Sequence, residues 1–175
     1  MRIIGLAGWS GAGKTTLLTR LIPHLIGRGL KISTIKHAHH AFDVDKPGKD
    51  SWLHRQAGAT EVLVASGARF ALMHELRGAP EPELPDLLWR MQPVDLLIVE
   101  GFKRFGHPKI EVHRAGNGKP HLFPDDSAIA ALATDSPPAD CPLPLAHLDD
   151  IAAIADLALE AAAPALDYAR APWPS

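Results

Sequence analysis

The segment Gly8-Trp9-Ser10-Gly11-Ala12-Gly13-Lys14-Thr15 limits what this chain can fold into more than any other feature. It follows a short apolar run at residues 2–7 and precedes an amphipathic stretch with Leu17, Leu18, Leu21, Ile22 and Leu25 along one side. A glycine, four residues and then Gly-Lys-Thr, set between a strand and a helix, is the pattern of a loop that cradles phosphates. Glycines at 8, 11 and 13 let the backbone turn its N–H groups inward, and the helix N-terminus adds a partial positive charge. Lys14 is then placed to reach β and γ phosphates, and Thr15 to offer its hydroxyl oxygen to a Mg²⁺ ion shared with the nucleotide. A chance match in a Gly-rich turn is the plain alternative, and the strand before and helix after argue against it.

The rest of the chain reads as an α/β protein: a phosphate-loop NTPase-like three-layer fold with a mixed, mainly parallel sheet flanked by helices. Pro23 lies inside the first helix and predicts a kink rather than a break. Residues 31–36 read as a second strand. Residues 61–66 and 69–75 read as two more, joined closely enough at Ser66-Gly67-Ala68 to form a hairpin. Leu84, Leu87, Leu88 and Met91 have helical spacing over residues 81–91. The run Asp95 to Val99 is continuously apolar, as a central parallel strand is. Residues 109–114 alternate and follow Pro108, which reads as a half-exposed edge strand open to pairing with another chain. A buried strand over 128–134 and an Ala-rich helix capped by Asp149 or Asp150 complete the pattern.

With 175 residues the chain is expected to form one domain over 1–163, and the Ala/Pro-rich 164–175 a flexible tail. Lys plus Arg is 18 and Asp plus Glu 20, so no general attraction to nucleic acid or an anionic membrane is expected. Any phosphate must be held locally. The lone Cys141 cannot form an internal disulfide, and no apolar run approaches the roughly 18 residues of a membrane span. A soluble, cytoplasmic protein is the expectation.

Two further segments carry chemistry. A phosphate loop needs an acid at the end of a buried strand, and Glu100 directly follows Leu96-Leu97-Ile98-Val99. Gly101 behind it can bring a backbone N–H to a γ-phosphate. A strand-end carboxylate facing solvent is the alternative. The segment from Lys36 to Ser51 holds His37, His39 and His40 together with Asp43, Asp45 and Asp50. It reads as a switch-like loop with Asp43 or Asp45 near the Mg²⁺ and Lys36 or Lys49 available to anions. A transition-metal site and a solvated polar loop are the alternatives.

Taken together, these residues resemble the MobB family of molybdopterin-guanine dinucleotide biosynthesis adaptor proteins. The resemblance lies in GWSGAGKTTL, IKHAHHAFDVDKPGKDS, the Ala57-Gly58-Ala59 that follows, LLIVEGFK and PKIEVHR, and it covers about residues 2–160. It implies GTP and Mg²⁺ binding with weak hydrolysis, assistance to the molybdenum cofactor guanylyltransferase that attaches GMP to molybdopterin, and a homodimer whose sheets exchange strands. It makes Gly8, Trp9, Ser10, Gly11, Ala12, Gly13, Lys14, Thr15 and Thr16 the phosphate and Mg²⁺ loop, with Lys14 and Glu100 the catalytic pair. Glu100 and Gly101 form the second acidic motif, and Asp45 and Lys49 lie in the other signature block, so that Thr15, Asp45 and Glu100 are the implied Mg²⁺ ligands.

Guanine is not read in the usual way, because the only Asn, Asn117, is followed by Gly-Lys-Pro rather than by Lys-x-Asp. Thr134-Asp135 at a strand end is a substitute, since a carboxylate there can accept from guanine N1 and N2; a cap or turn aspartate is the alternative. Gln56 and Gln92 are the only glutamines, neither follows Glu100, and no internal arginine finger is evident. Slow turnover is therefore expected. The competing readings are a small-molecule kinase, weakened by the absence of Arg from residues 116–126, and a metal-delivery GTPase using His37, His39 and His40.

Overall fold

A computed structural model describes residues 1–38 and 42–169. In chain order the elements are β1 (Arg2–Ala7), α1 (Lys14–Gly27), β2 (Ile32–Lys36), α2 (Asp50–Gln56), β3 (Glu61–Ala65), β4 (Phe70–His74), α3 (Leu84–Leu88), β5 (Leu96–Glu100), β6 (Lys109–His113), β7 (Ile129–Thr134), β8 (Leu145–His147), α4 (Ile151–Ala161) and β9 (Ala163–Pro164). They sort into two compact units, Met1–His37 with the chain from Glu83 onward, and Ala38–Pro82.

The first unit is built on a sheet in the order β2-β5-β1-β6-β7-β8, all neighbours parallel, with β9 added antiparallel to the start of β1. Successive strand residues face opposite sides. One side, with Ile4, Leu6, Leu96, Ile98, Ile110 and Val112, packs against Leu17, Leu21 and Leu25 of α1 and Ile154, Ala155 and Ala158 of α4. The other, with Ile3, Ile35, Leu97 and Val99, packs against Leu84 and Leu88 of α3 and Ala165. The expected mixed, mainly parallel three-layer arrangement is what this unit adopts.

Local chemistry explains the boundaries. Gly13, at φ 95°, opens α1, and the helix runs through Pro23 without interruption. It closes where Gly29, at φ 85°, lets Leu30 N–H return to the Leu25 carbonyl. α3 is shorter than the spacing predicted, starting at a reciprocal Glu83/Asp86 capping box. Asp150 caps α4 by accepting from Ala153 N–H at 3.0 Å.

Two expectations are corrected. β6 is not an edge strand: it lies between β1 and β7, and all five residues, including Lys109, Glu111 and His113, are buried. Its polar residues are buried because residues 119–126 cover them and supply partners. Lys109 Nζ meets Asp126 at 3.1 Å, and the Glu111 carboxylate accepts from Leu122 and Phe123 N–H at 2.8 and 2.9 Å. Nor is the chain frayed over residues 164–169; the rest of the expected tail, 170–175, lies outside the described residues. Pro164 pairs with Arg2, Ala165 is buried, and Tyr168 meets Phe105 edge to face.

The second unit contains α2 and the antiparallel β3–β4 hairpin. Arg55 ties it together, bonding Asp43 at 2.8 Å, Glu75 at 2.8 Å and Asp45 at 3.3 Å. Arg55 holds the Asp43 carboxyl below the usual carboxylate range, with the Asp45 and Val44 N–H groups adding to the effect. One face of the hairpin carries Leu63, Phe70 and Leu72 exposed. Among the described residues, no helix is long and apolar enough to cross a membrane.

Candidate functional site

In a parallel sheet the ligand side is the edge where strands end and loops begin. Here β1 runs into the Gly-rich loop, β5 into Glu100-Gly101, β6 into Arg114 and β7 into Asp135. The loop passes so close to β6 that a Cβ on Gly8 would stand 2.5 Å from the Val112 carbonyl oxygen, and Gly8, Gly11 and Gly13 all have left-handed φ values of 142°, 81° and 95°. Only glycine takes such a path at little cost. Ala12 is buried beneath the loop, its N–H on the Trp9 carbonyl at 3.2 Å.

The loop borders a cleft of about 360 Å³ lined by Ser10, Gly11, Gly13, Lys14, Thr15, Thr16 and Glu100. The structure thus brings the predicted lysine, both threonines and the strand-end acid to one place. Lys14 Nζ donates to the Gly8 and Trp9 carbonyls at 2.9 and 3.0 Å. Partial burial holds its pKa below the ordinary lysine value; Glu100 opposes that shift, while Lys103 and Lys36 add to it. Cations thus outnumber the carboxylate around Lys14, a field suited to a polyanion.

Behind Glu100 the backbone is constrained. The Glu100 carbonyl accepts from His37 N–H at 2.8 Å, Gly101 has φ 102°, and Phe102 is left-handed at φ 47° with its ring stacked 4.7 Å from that of His37. A non-glycine residue in that conformation is strained, and strain of this kind gathers at functional sites.

A second loop, which sequence reasoning missed, braces the phosphate loop from outside. Asn117 Nδ2 donates to the Ser10 carbonyl at 3.0 Å, Trp9 Nε1 donates to the Pro120 carbonyl at 2.8 Å, and Lys119 Nζ lies 5.9 Å from the centre of the Trp9 ring. His113 fixes this loop to the sheet. The Lys119 carbonyl can only accept, so His113 Nε2 carries the hydrogen, with Nδ1 on the Thr134 hydroxyl; the contacts are 3.0 and 3.1 Å. Asn117 therefore holds the loop in place.

Asp135 and Arg114 sit side by side at the same edge. Asp135 Oδ1 accepts from Ala115 N–H at 2.8 Å, and Oδ2 lies 3.6 Å from Arg114 Nη1. The hydrogen bond from Ala115, chiefly, and Arg114 keep the Asp135 carboxyl below its usual range, so it stays ionised. In this arrangement Oδ1 is committed to the backbone of the residue after Arg114.

Asp45 and Lys49 lie in the second unit. Asp45 is not shaped as a metal ligand there, because its carboxylate accepts from Ser51 Oγ at 2.8 Å, Lys46 N–H at 3.0 Å and Arg55 Nε at 3.3 Å. Lys49 is exposed and precedes α2 as its cap residue. Of the histidine cluster, His37 stacks on Phe102, while His39 and His40 lie outside the described residues. Among the described residues, no group of three or more metal-ligating side chains is assembled.

Residues 3–135 match the family model described as MobB, Molybdopterin guanine dinucleotide synthesis protein B. The chain belongs to the MobB family. Two MobB relatives are named as molybdopterin-guanine dinucleotide biosynthesis adapter proteins. The one from Escherichia coli is 44% identical over 161 residues, covering 90% of this chain and 91% of the relative. That from Haemophilus influenzae is 45% identical over 138 residues, covering 77% and 75%. The solved structure of a molybdopterin-guanine biosynthesis protein B superposes with a TM-score of 0.69 at 30% identity, over 90% of this chain and 97% of that one. Bacillus subtilis MobB superposes with a TM-score of 0.68 over 91% and 97%, at 24% identity, a likeness of fold alone.

Proposed function

We propose that this protein is a GTP-binding adaptor that assists a guanylyltransferase in attaching GMP to molybdopterin. The observation that carries the nucleotide part is the single cleft shared by Lys14, Thr15, Thr16 and Glu100. Family membership and the names of the relatives support the pathway.

Each residue has a derivable task. The inward N–H groups of the loop and the first turn of α1 take phosphate oxygens, which displace the Gly8 and Trp9 carbonyls as acceptors for Lys14. The Thr15 hydroxyl and the Glu100 carboxylate are both hard oxygen donors on the same cleft, the donor set Mg²⁺ takes, so these two residues fit the ion and would hold it or its waters. Mg²⁺, when bound, neutralises charge between the β and γ phosphates. Among the described residues, Glu100 is also the only one lining the cleft able to accept a proton from water, and one carboxylate shared with a metal makes a poor base. Slow hydrolysis follows from that shortage.

The exposed Leu63, Phe70 and Leu72 on one face of the hairpin support a homodimer, because an uncovered apolar strand pair invites a second copy. The test of the adaptor function is GMP transfer to molybdopterin by the guanylyltransferase, measured with and without this protein. Stimulation lost in Lys14→Ala supports it, and equal rates with and without the protein refute it.

A further inference from the structure

We infer that Arg114 is a phosphate-binding residue of the cleft, held toward the ligand by Asp135; this rests on the nucleotide reading above and adds a residue to it. Arg114 leaves the end of β6, and its Nη2 and Nε stand 3.7 and 3.8 Å from where a Cβ on Gly13 would lie. Gly13 is the left-handed residue that opens α1, so the guanidinium stands beside the cap residue of a helix whose first N–H groups suit a phosphate. Gly13 lines the cleft, so the fork of donors stands next to one of its walls.

The anchoring is one-sided. Asp135, at the end of the neighbouring β7, grips the peptide after Arg114 through Ala115 N–H at 2.8 Å, yet meets the guanidinium itself only at 3.6 Å. That separation is long for a charge-assisted hydrogen bond, and Asp135 engages one of five N–H donors. The Arg114 side chain is 47% exposed, so the pair is not a sealed structural bridge, and exposed pairs add little stability. What the geometry achieves is aim: the backbone at Arg114 is fixed and the planar fork is turned toward Gly13. An arginine fork matches two phosphate oxygens at once, which a lysine cannot do. Arg114 thus supplies a second cation beside Lys14 from within the same chain, and Asp135 is its positioning residue.

The test is equilibrium binding of Mg-GTP and Mg-ATP, which share phosphates but differ at the base, to wild type, Arg114→Ala, Arg114→Lys, Asp135→Asn, the Arg114→Ala/Asp135→Asn double variant and Lys14→Ala. Arg114→Ala is expected to weaken both nucleotides equally by roughly 10- to 30-fold, with Arg114→Lys recovering part of the loss and the unfolding midpoint unmoved. Asp135→Asn is expected to weaken binding by a smaller factor, and the double variant to bind no worse than Arg114→Ala, because the carboxylate acts through the arginine. GTP binding within twofold of wild type in Arg114→Ala, with Lys14→Ala inactive, overturns this inference alone. So does a changed GTP to ATP ratio, which would move Arg114 to the base, since adenine carries an amino donor where guanine carries the O6 acceptor. Wild type that binds neither nucleotide refutes the nucleotide reading itself and this inference with it.

Discussion

Gly101 and His37 approach so closely that a Cβ on Gly101 would stand 2.5 Å from the His37 Cβ. The glycine is also left-handed, at φ 102°, and follows the strand-end acid of the cleft. Two independent penalties therefore meet at one position, a forbidden backbone conformation and a side-chain collision. Gly101→Ala is expected to destabilise the protein by roughly 2–4 kcal/mol. Chemical denaturation followed by tryptophan fluorescence checks this, and a loss below about 1 kcal/mol would show that His37 yields easily.

His107 predicts a pH dependence. It is fully buried, and burial, with Lys109 adding to it, lowers its pKa to about 4. The folded protein therefore refuses a proton that the unfolded chain accepts near the ordinary histidine value. The stabilisation is complete above about pH 6.5 and is lost as pH falls toward 4, by up to about 3 kcal/mol in all. Urea midpoints measured from pH 7.5 to 5 should fall in wild type and fall less in His107→Gln. Identical slopes in the two proteins would assign the effect to other groups.

The proposed homodimer makes the β3–β4 hairpin testable by mass. Phe70 and Leu72 are 70% and 47% exposed, so replacing them should leave the fold of each copy intact while charging the face between copies. Wild type is expected at twice the chain mass by light scattering at micromolar concentration, and Phe70→Glu/Leu72→Glu at the chain mass. A dimeric double variant would place the interface elsewhere.

The parts of the fold legible in the sequence were those with local signatures. β1, the glycine loop and α1 announce themselves through spacing, and β5 through its unbroken apolar run ending at Glu100. β6 was misread for a physical reason. Alternation of Lys109, Glu111 and His113 with Ile110 and Val112 marks a half-exposed strand only if nothing covers the polar side, and residues 119–126 cover it. The error carried into the site. Once β6 is placed at the centre of the sheet, Arg114 falls at the ligand edge, and Asn117 falls against Ser10. Ala and Pro over residues 164–169 suggest fraying, whereas Pro164 needs no N–H to flank β1 and Ala165 is small enough to enter the core beside it. Asp45 looked like a cation ligand by composition, and only the fold shows Arg55 claiming it.

The central claim is that the cleft around Lys14 binds a guanine nucleotide with Mg²⁺. Calorimetric titration of Mg-GTP and then Mg-ATP into wild type and Lys14→Ala tests it most directly. The account predicts stoichiometric, Mg²⁺-dependent GTP binding, weaker ATP binding, and loss of both in Lys14→Ala with an unchanged unfolding midpoint. Undiminished GTP binding by Lys14→Ala, or none by wild type, would contradict it.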